Sequence, residues 1–130
     1  MSIEMRMLAW SIVLGFVQLL LAATTMTMQR GSKWNASARD GTPPPLVGVA
    51  GRLDRAFRNF LETFPFFAAA VLAVVWAQRL DGYTALGAQL YFWARVVYIP
   101  LYAAGIPYVR SLVWAIAMIG VVLVLWPLLH

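Results

Sequence analysis

The sequence contains no cysteine, and its only histidine is His130, the last residue. Without cysteine there is no disulfide framework, no protein thiolate nucleophile and no cysteine-based metal site. A single terminal histidine does not supply the cluster of ligands that a histidine metal site needs. We therefore expect this protein to work without a bound metal.

Charged residues are also scarce, at 12% of the chain, whereas hydrophobic residues make up 62%. A soluble domain averages about 25% charged and about 45–50% apolar residues. A chain of 130 residues cannot bury so much apolar surface in its own core. The composition therefore indicates an integral membrane protein whose apolar surplus faces lipid.

The charges that are present are mostly positive, with a formal net charge of +5 and every basic residue except Lys33 an arginine. In a soluble protein this excess would suggest nucleic acid. In a membrane protein, basic residues concentrate in the cytoplasmic loops. We therefore predict no nucleic-acid partner.

Four apolar segments are each long enough to cross a bilayer, which takes about 20 residues. The sequence predicts an all-α, single-domain bundle of four transmembrane helices at about 7–28, 51–78, 83–105 and 107–129, with a proline-rich loop at 29–50. The first segment lacks a cationic start and a clear cleavage site, so we expect it to be retained.

The basic residues also predict the orientation of this bundle. They concentrate in the loop at 29–50, at the start of the second helix and near Arg110, whereas the N-terminus and the turn at 79–82 are neutral. The positive-inside rule then places the loop in the cytoplasm and both termini outside it.

The second predicted helix begins with a charged face. At about 100° per residue, Arg52, Arg55, Asn59 and Glu62 fall within one arc of roughly 80°. Arg58 lies in the same stretch. Charged residues within a membrane are energetically costly and usually functional. This face is therefore the first candidate site, although arginines at the start of a helix also serve as topology signals.

Two other helices carry polar residues that could face it. Arg95, Tyr98 and Tyr102 share an arc of the third helix, and Arg110 and Ser111 begin the fourth. An arginine in mid-helix costs about 2.5–3.5 kcal/mol on membrane-insertion scales. We therefore predict that Arg95 forms an ion pair with Glu62. The tyrosines fit a polar interior, although tyrosine also marks the membrane interface.

Several arginines beside one glutamate favour a ligand that is rich in carboxylates and also carries an ammonium group. Arginine presents a rigid fork that matches a carboxylate, Glu62 could accept the ammonium, and Asn59 could bond to an amide. A cationic site also lowers the pKa of a bound thiol. A small peptide thiol meets all these conditions, but the residues alone do not select it over other anions.

The stretch Arg55-Ala-Phe-Arg-Asn59-Phe-Leu-Glu62-Thr-Phe-Pro65 resembles the Arg-Ala-x-x-Asn-x-x-Glu-x-x-Pro signature of the MAPEG family, membrane-associated proteins of eicosanoid and glutathione metabolism. Ala-Arg95-Val-Val-Tyr98, followed by Tyr102, is similar to the pattern of that family's third helix. The likeness continues at Arg110-Ser111. The proline-rich loop is most similar to the bacterial branch, which implies an inner-membrane location.

The resemblance implies a homotrimer that binds glutathione near the cytoplasmic boundary and takes a lipophilic second substrate from the bilayer. It implies that Arg110 stabilises the glutathione thiolate. The residues it assigns to glutathione binding are Arg55, Asn59, Glu62, Tyr98 and Tyr102, with Arg52, Arg58 and Arg30 as further candidates.

Three functions are therefore compared. The first is a glutathione-dependent transferase or peroxidase acting on lipophilic electrophiles, with glutathione as co-substrate. The second is a non-catalytic lipid- or glutathione-binding protein of the same fold. The third is a small proton-coupled exporter, which we disfavour because arginines around Glu62 would repel cationic cargo.

Overall fold

The computed structural model describes residues 1–130, and its only regular secondary structure is helical. The bounds of its four long helices differ from the predicted bounds by only a few residues. The helices are α1 Ile3–Arg30, α2 Ser32–Ala36, α3 Gly48–Trp76, α4 Gly82–Ala103 and α5 Tyr108–Leu125, followed by a 3₁₀ turn at Trp126–Leu129.

Three segments are long and apolar enough to cross a membrane: α1, α3 and the unit Tyr108–Leu129, of 28, 29 and 22 residues. Their outer surfaces expose large apolar side chains, such as Leu20 and Phe66 at 63% and 70% exposure. Soluble proteins rarely leave such continuous apolar surfaces in water. The chain is therefore an integral membrane protein. The remaining long helix, α4, carries the buried polar residues described below.

The core between α3 and α4 is built around Tyr91. Its ring stacks on that of Phe67 with 4.1 Å between centroids. Its buried hydroxyl lies 3.0 Å from the Thr63 hydroxyl, so that neither polar group is left unpaired. A satisfied buried hydrogen bond of this kind contributes about 1 kcal/mol.

Two glycines allow a close contact between α4 and α5. A Cβ atom added to Gly87 would lie 2.5 Å from the carbonyl oxygen of Gly120, and one added to Gly120 would lie 2.5 Å from that of Gly87. Only glycine permits the two backbones to approach so closely. Small residues serve the same purpose in many membrane helix pairs.

The two parallel helices α1 and α4 are joined at their starts. Asp81 caps α4 by accepting a hydrogen bond from the Thr84 amide at 2.9 Å, and the Thr84 hydroxyl accepts one from the Asp81 amide. The buried carboxylate of Glu4 accepts a further hydrogen bond from the Thr84 hydroxyl. This contact ties the beginning of the first helix to the third long helix.

The predicted loop at 29–50 is only partly irregular, because it contains α2. The Trp34 ring of this short helix contacts two guanidinium groups, those of Arg30 at 5.2 Å and Arg39 at 5.4 Å from its centroid. The Asn35 amide donates to the Thr27 hydroxyl at 3.1 Å. These contacts hold α2 against the end of α1.

The fourth predicted helix, at 107–129, ends earlier as an α-helix than the sequence predicts. The α-helical geometry stops at Leu125, and Pro127 sits in the tighter turn that follows. Proline has no amide hydrogen to donate to the preceding turn and crowds the carbonyl four residues earlier, which disfavours continued α-helix.

Candidate ligand-binding site

A cavity of about 450 Å³ opens between α3, α4 and α5 at the end of the bundle that carries the basic residues. This is within the usual range of about 300–1,000 Å³ for small-molecule sites. The lining residues are Arg55, Arg58, Asn59, Glu62, Tyr98, Tyr102, Arg110, Ser111 and Trp114. No group of three or more acidic or histidine side chains converges there as a metal site would require.

The α3 wall follows from helical periodicity. Arg55, Asn59 and Glu62 are spaced by four and three residues, so they lie on one face and line the cavity. The neighbouring face, which includes Ala56 and Phe60, is buried in the core at 1% and 2% exposure. One helix therefore anchors itself in the bundle and presents charged side chains to the cavity.

The wall formed by α4 and α5 is centred on Tyr102, whose ring contacts guanidinium groups and a second aromatic ring. Arg110 lies 4.4 Å from the centroid of the Tyr102 ring, and Arg55 lies 6.0 Å from it. Tyr98 packs edge-on against Tyr102 with 5.6 Å between centroids. Guanidinium groups within about 6 Å of an aromatic ring are attracted to it. Tyr102 therefore brings arginines from α3 and α5 to the same cavity.

Arg58 lines the cavity but is also engaged elsewhere. Its Nε lies 3.2 Å from the Asp54 carboxylate, one turn earlier on α3, and its side chain is 73% exposed. Exposed ion pairs of this kind are worth about 0–1 kcal/mol. The arginine can therefore leave Asp54 for a ligand at little cost. The i, i+4 spacing of the pair is visible in the sequence, but Asp54 was not assigned a role there.

Arg52 is not among the residues that line the cavity. Its Nε donates to the Ala103 carbonyl at 2.8 Å, at the end of α4. The last carbonyls of a helix have no partner within it, so Arg52 caps α4 from α3. Gly105, with φ of 76°, then ends the helix and reverses the chain.

Arg30 also lies outside the cavity of this single chain. Its Nε and Nη2 donate to the Pro44 carbonyl at 3.2 and 3.1 Å, and its guanidinium lies against Trp34. Arg30 thus folds the proline-rich loop back onto the end of α1.

The structure contradicts the predicted ion pair between Glu62 and Arg95. Arg95 is buried, and its Nη1 donates to the Asn59 side-chain oxygen at 2.9 Å, while the Tyr98 ring lies 4.2 Å away. At about 100° per residue, Glu62 lies roughly 60° around α3 from Asn59, on the side away from the core. Arg95 points into the core and meets Asn59 instead, and Glu62 stays exposed in the cavity.

Trp114 is the one lining residue that the sequence did not assign to the site. It lies one turn after Arg110 on α5, so the two side chains share a face. This i, i+4 spacing was the signal in the sequence. A tryptophan in an apolar helix is usually read as a residue of the membrane interface.

Fold and cavity together define an integral membrane helical protein with an arginine-rich cavity at one end of its bundle. The sequence model of the MAPEG family matches residues 7–130, and the chain therefore belongs to the MAPEG family. A comparison with curated proteins finds no match.

Proposed function

We propose that this protein is an integral membrane glutathione-dependent transferase or peroxidase that acts on lipophilic electrophiles. The observation that carries the proposal is the composition of the cavity. Three arginines, Arg55, Arg58 and Arg110, share it with a single carboxylate, Glu62. Membership of a family of glutathione-related proteins supports the same function.

Glutathione matches these groups one by one. Its two carboxylates suit Arg55 and Arg58, and its ammonium group suits the exposed carboxylate of Glu62. The Asn59 amide suits a peptide or carboxylate group. The thiol then remains for Arg110, whose guanidinium group favours the thiolate form.

The chemistry starts when the bound thiol loses its proton and Arg110 stabilises the resulting thiolate. In the transferase reaction, the sulfur attacks an electrophilic carbon, a carbon–sulfur bond forms, and the group displaced from that carbon leaves with its bonding electron pair. In the peroxidase reaction, the sulfur attacks a hydroperoxide, the oxygen–oxygen bond breaks and an alcohol leaves after protonation. A second glutathione then attacks the sulfenic acid, which gives the disulfide and water.

The placement in the membrane is part of the proposal. All four long helices span the bilayer, and α4 presents exposed Leu86, Trp93 and Val97 on its outer face. Both termini lie outside the cytoplasm. The basic cavity then lies at the cytoplasmic boundary of a bacterial inner membrane, as the positive-inside rule favours. Glutathione enters from the cytoplasm and the lipophilic substrate enters from the bilayer. A homotrimer is the assembly that family membership favours.

A glutathione titration by calorimetry, on protein purified in detergent, tests the function. Wild type should bind, and Glu62→Gln should bind about 10- to 100-fold more weakly, since a hydrogen bond to a charged group contributes roughly 1.5–3 kcal/mol. Arg110→Ala should still bind but lose the ultraviolet absorbance of the bound thiolate and turnover with electrophiles. Absence of binding to wild type would refute the proposal.

A second candidate is a non-catalytic glutathione- or lipid-binding protein of the same fold. It is favoured by the contact of Arg110 with Tyr102, which could serve packing alone. Stoichiometric glutathione binding without thiolate absorbance or turnover, on both electrophile and hydroperoxide substrates, would support it over the enzyme.

A further inference from the structure

Arg95 is the most deeply buried charged residue of the chain, at 1% exposure. It does not line the cationic cavity. Its only hydrogen bond within the protein runs from Nη1 to the side-chain oxygen of Asn59, while Nε and Nη2 have no partner there. A buried charge without an opposite charge is costly, so Arg95 is expected to have a role beyond filling space.

The chemistry of the pair determines how Asn59 is oriented. Arginine carries five N–H donors and no acceptor. Only the carbonyl oxygen of the Asn59 amide can therefore face Arg95, and the amide nitrogen with its two hydrogens must lie on the other side. Asn59 is one of the residues that line the cavity.

We propose that Arg95 is a positioning residue that locks the Asn59 amide with its NH₂ group toward the cavity, so that this point of the site accepts only a hydrogen-bond acceptor of the ligand. A free asparagine can turn its amide over and offer either a donor or an acceptor. Asn59 held by Arg95 offers donors alone. The ligand group that fits is a carbonyl or carboxylate oxygen.

The neighbouring contacts support a role through other residues. Arg95 also packs against Tyr98, with 4.2 Å from its guanidinium carbon to the ring centroid, and Tyr98 lines the cavity as well. Because Arg95 is engaged by Asn59, it does not pair with the Glu62 carboxylate. The α3 wall thus presents a fixed donor at Asn59 and, one turn further along, a free acceptor at Glu62.

The inference rests on the proposed function for its ligand, and a double-mutant cycle with glutathione tests it. Asn59→Ala and Arg95→Met should each weaken binding by about 5- to 10-fold, the usual effect of one neutral hydrogen bond. The double variant should bind within about twofold of Asn59→Ala, since Arg95 acts through that residue. Equal losses from Arg95→Met in both backgrounds, or no loss in either, would overturn the inference.

Asn59→Asp provides a second test that leaves Arg95 in place with a partner. Aspartate accepts at both oxygens, so it keeps the contact with Arg95 and removes the donor from the cavity. We expect an apparent unfolding temperature at or above that of wild type, with glutathione binding at least as weak as in Asn59→Ala. Binding equal to that of wild type would show that no donor is needed there.

The orientation of the amide can also be tested without any ligand, which separates this inference from the proposed function. Asn59→Leu removes the oxygen and leaves Arg95 with no hydrogen bond, so it should unfold at a lower temperature than Asn59→Asp. If the two variants are equally stable, the contact does not orient Asn59 and the inference fails. If instead the stabilities differ as expected but wild type does not bind glutathione, the proposed function alone fails.

Discussion

The contact between Gly87 and Gly120 makes the α4–α5 pair unusually sensitive to a single methyl group. In Gly120→Ala the new Cβ would lie 2.5 Å from the Gly87 carbonyl oxygen and 2.8 Å from the Tyr91 amide nitrogen. Both are backbone atoms, so only separation of the helices relieves the clash. Overpacking of this kind costs about 1–3 kcal/mol, and the higher helix propensity of alanine offsets up to about 1 kcal/mol of it.

We therefore expect Gly120→Ala to be destabilised by about 1–2 kcal/mol, which lowers the apparent unfolding temperature in detergent by roughly 4–8 °C. Gly82→Ala is the matched control, because an added Cβ at the start of α4 meets no atom within 4 Å. Differential scanning fluorimetry of both variants measures the difference. If Gly120→Ala is as stable as Gly82→Ala, the backbones of α4 and α5 do not approach as closely as described.

The same substitution should also affect the cavity, because α4 and α5 form two of its walls. Arg110 is ten residues from Gly120 along α5, about 15 Å away. Separation of the helices should loosen the 4.4 Å contact between Arg110 and Tyr102. We expect glutathione binding to be several-fold weaker in Gly120→Ala and unchanged in Gly82→Ala. Equal affinities would show that the crossing and the cavity are independent.

Three further variants test other contacts. Tyr102→Phe keeps the ring between the two guanidinium groups and should bind glutathione nearly as wild type does, whereas Tyr102→Leu should bind several-fold more weakly in the same titration. Thr63→Val leaves the Tyr91 hydroxyl buried without its partner and should lower stability by about 1–3 kcal/mol in thermal unfolding. Arg52→Met removes the hydrogen bond to the Ala103 carbonyl. It should lower the unfolding temperature by a few degrees and leave the affinity for glutathione unchanged. A large loss of affinity would instead show that Arg52 contributes to ligand binding.

The helices and most of the cavity could be predicted because both follow from periodicity. Arg55, Asn59 and Glu62 share a face at any rotation of α3 about its axis, so the sequence alone groups them. Their convergence with Tyr98, Tyr102 and Arg110 required only short connections between neighbouring helices.

What the sequence could not supply was the rotation of each helix about its axis. The partner of Arg95 depends on it, because Asn59 and Glu62 lie on the same polar face and only one of them is turned toward the core. Opposite charge favoured Glu62, and geometry selected Asn59. The cap that Arg52 provides was missed for another reason, since a backbone carbonyl such as that of Ala103 has no signature in the sequence.

The contact between Glu4 and Thr84 has a consequence for how the protein is made. The two residues are 80 positions apart, so the carboxylate of the first helix has no partner while that helix enters the membrane. Until the third long helix has been synthesised, Glu4 must stay hydrated at the bilayer surface, because burying an unpaired carboxylate in lipid is costly. We therefore expect the start of the first helix to become buried only after α4 has been synthesised, when Thr84 can reach Glu4.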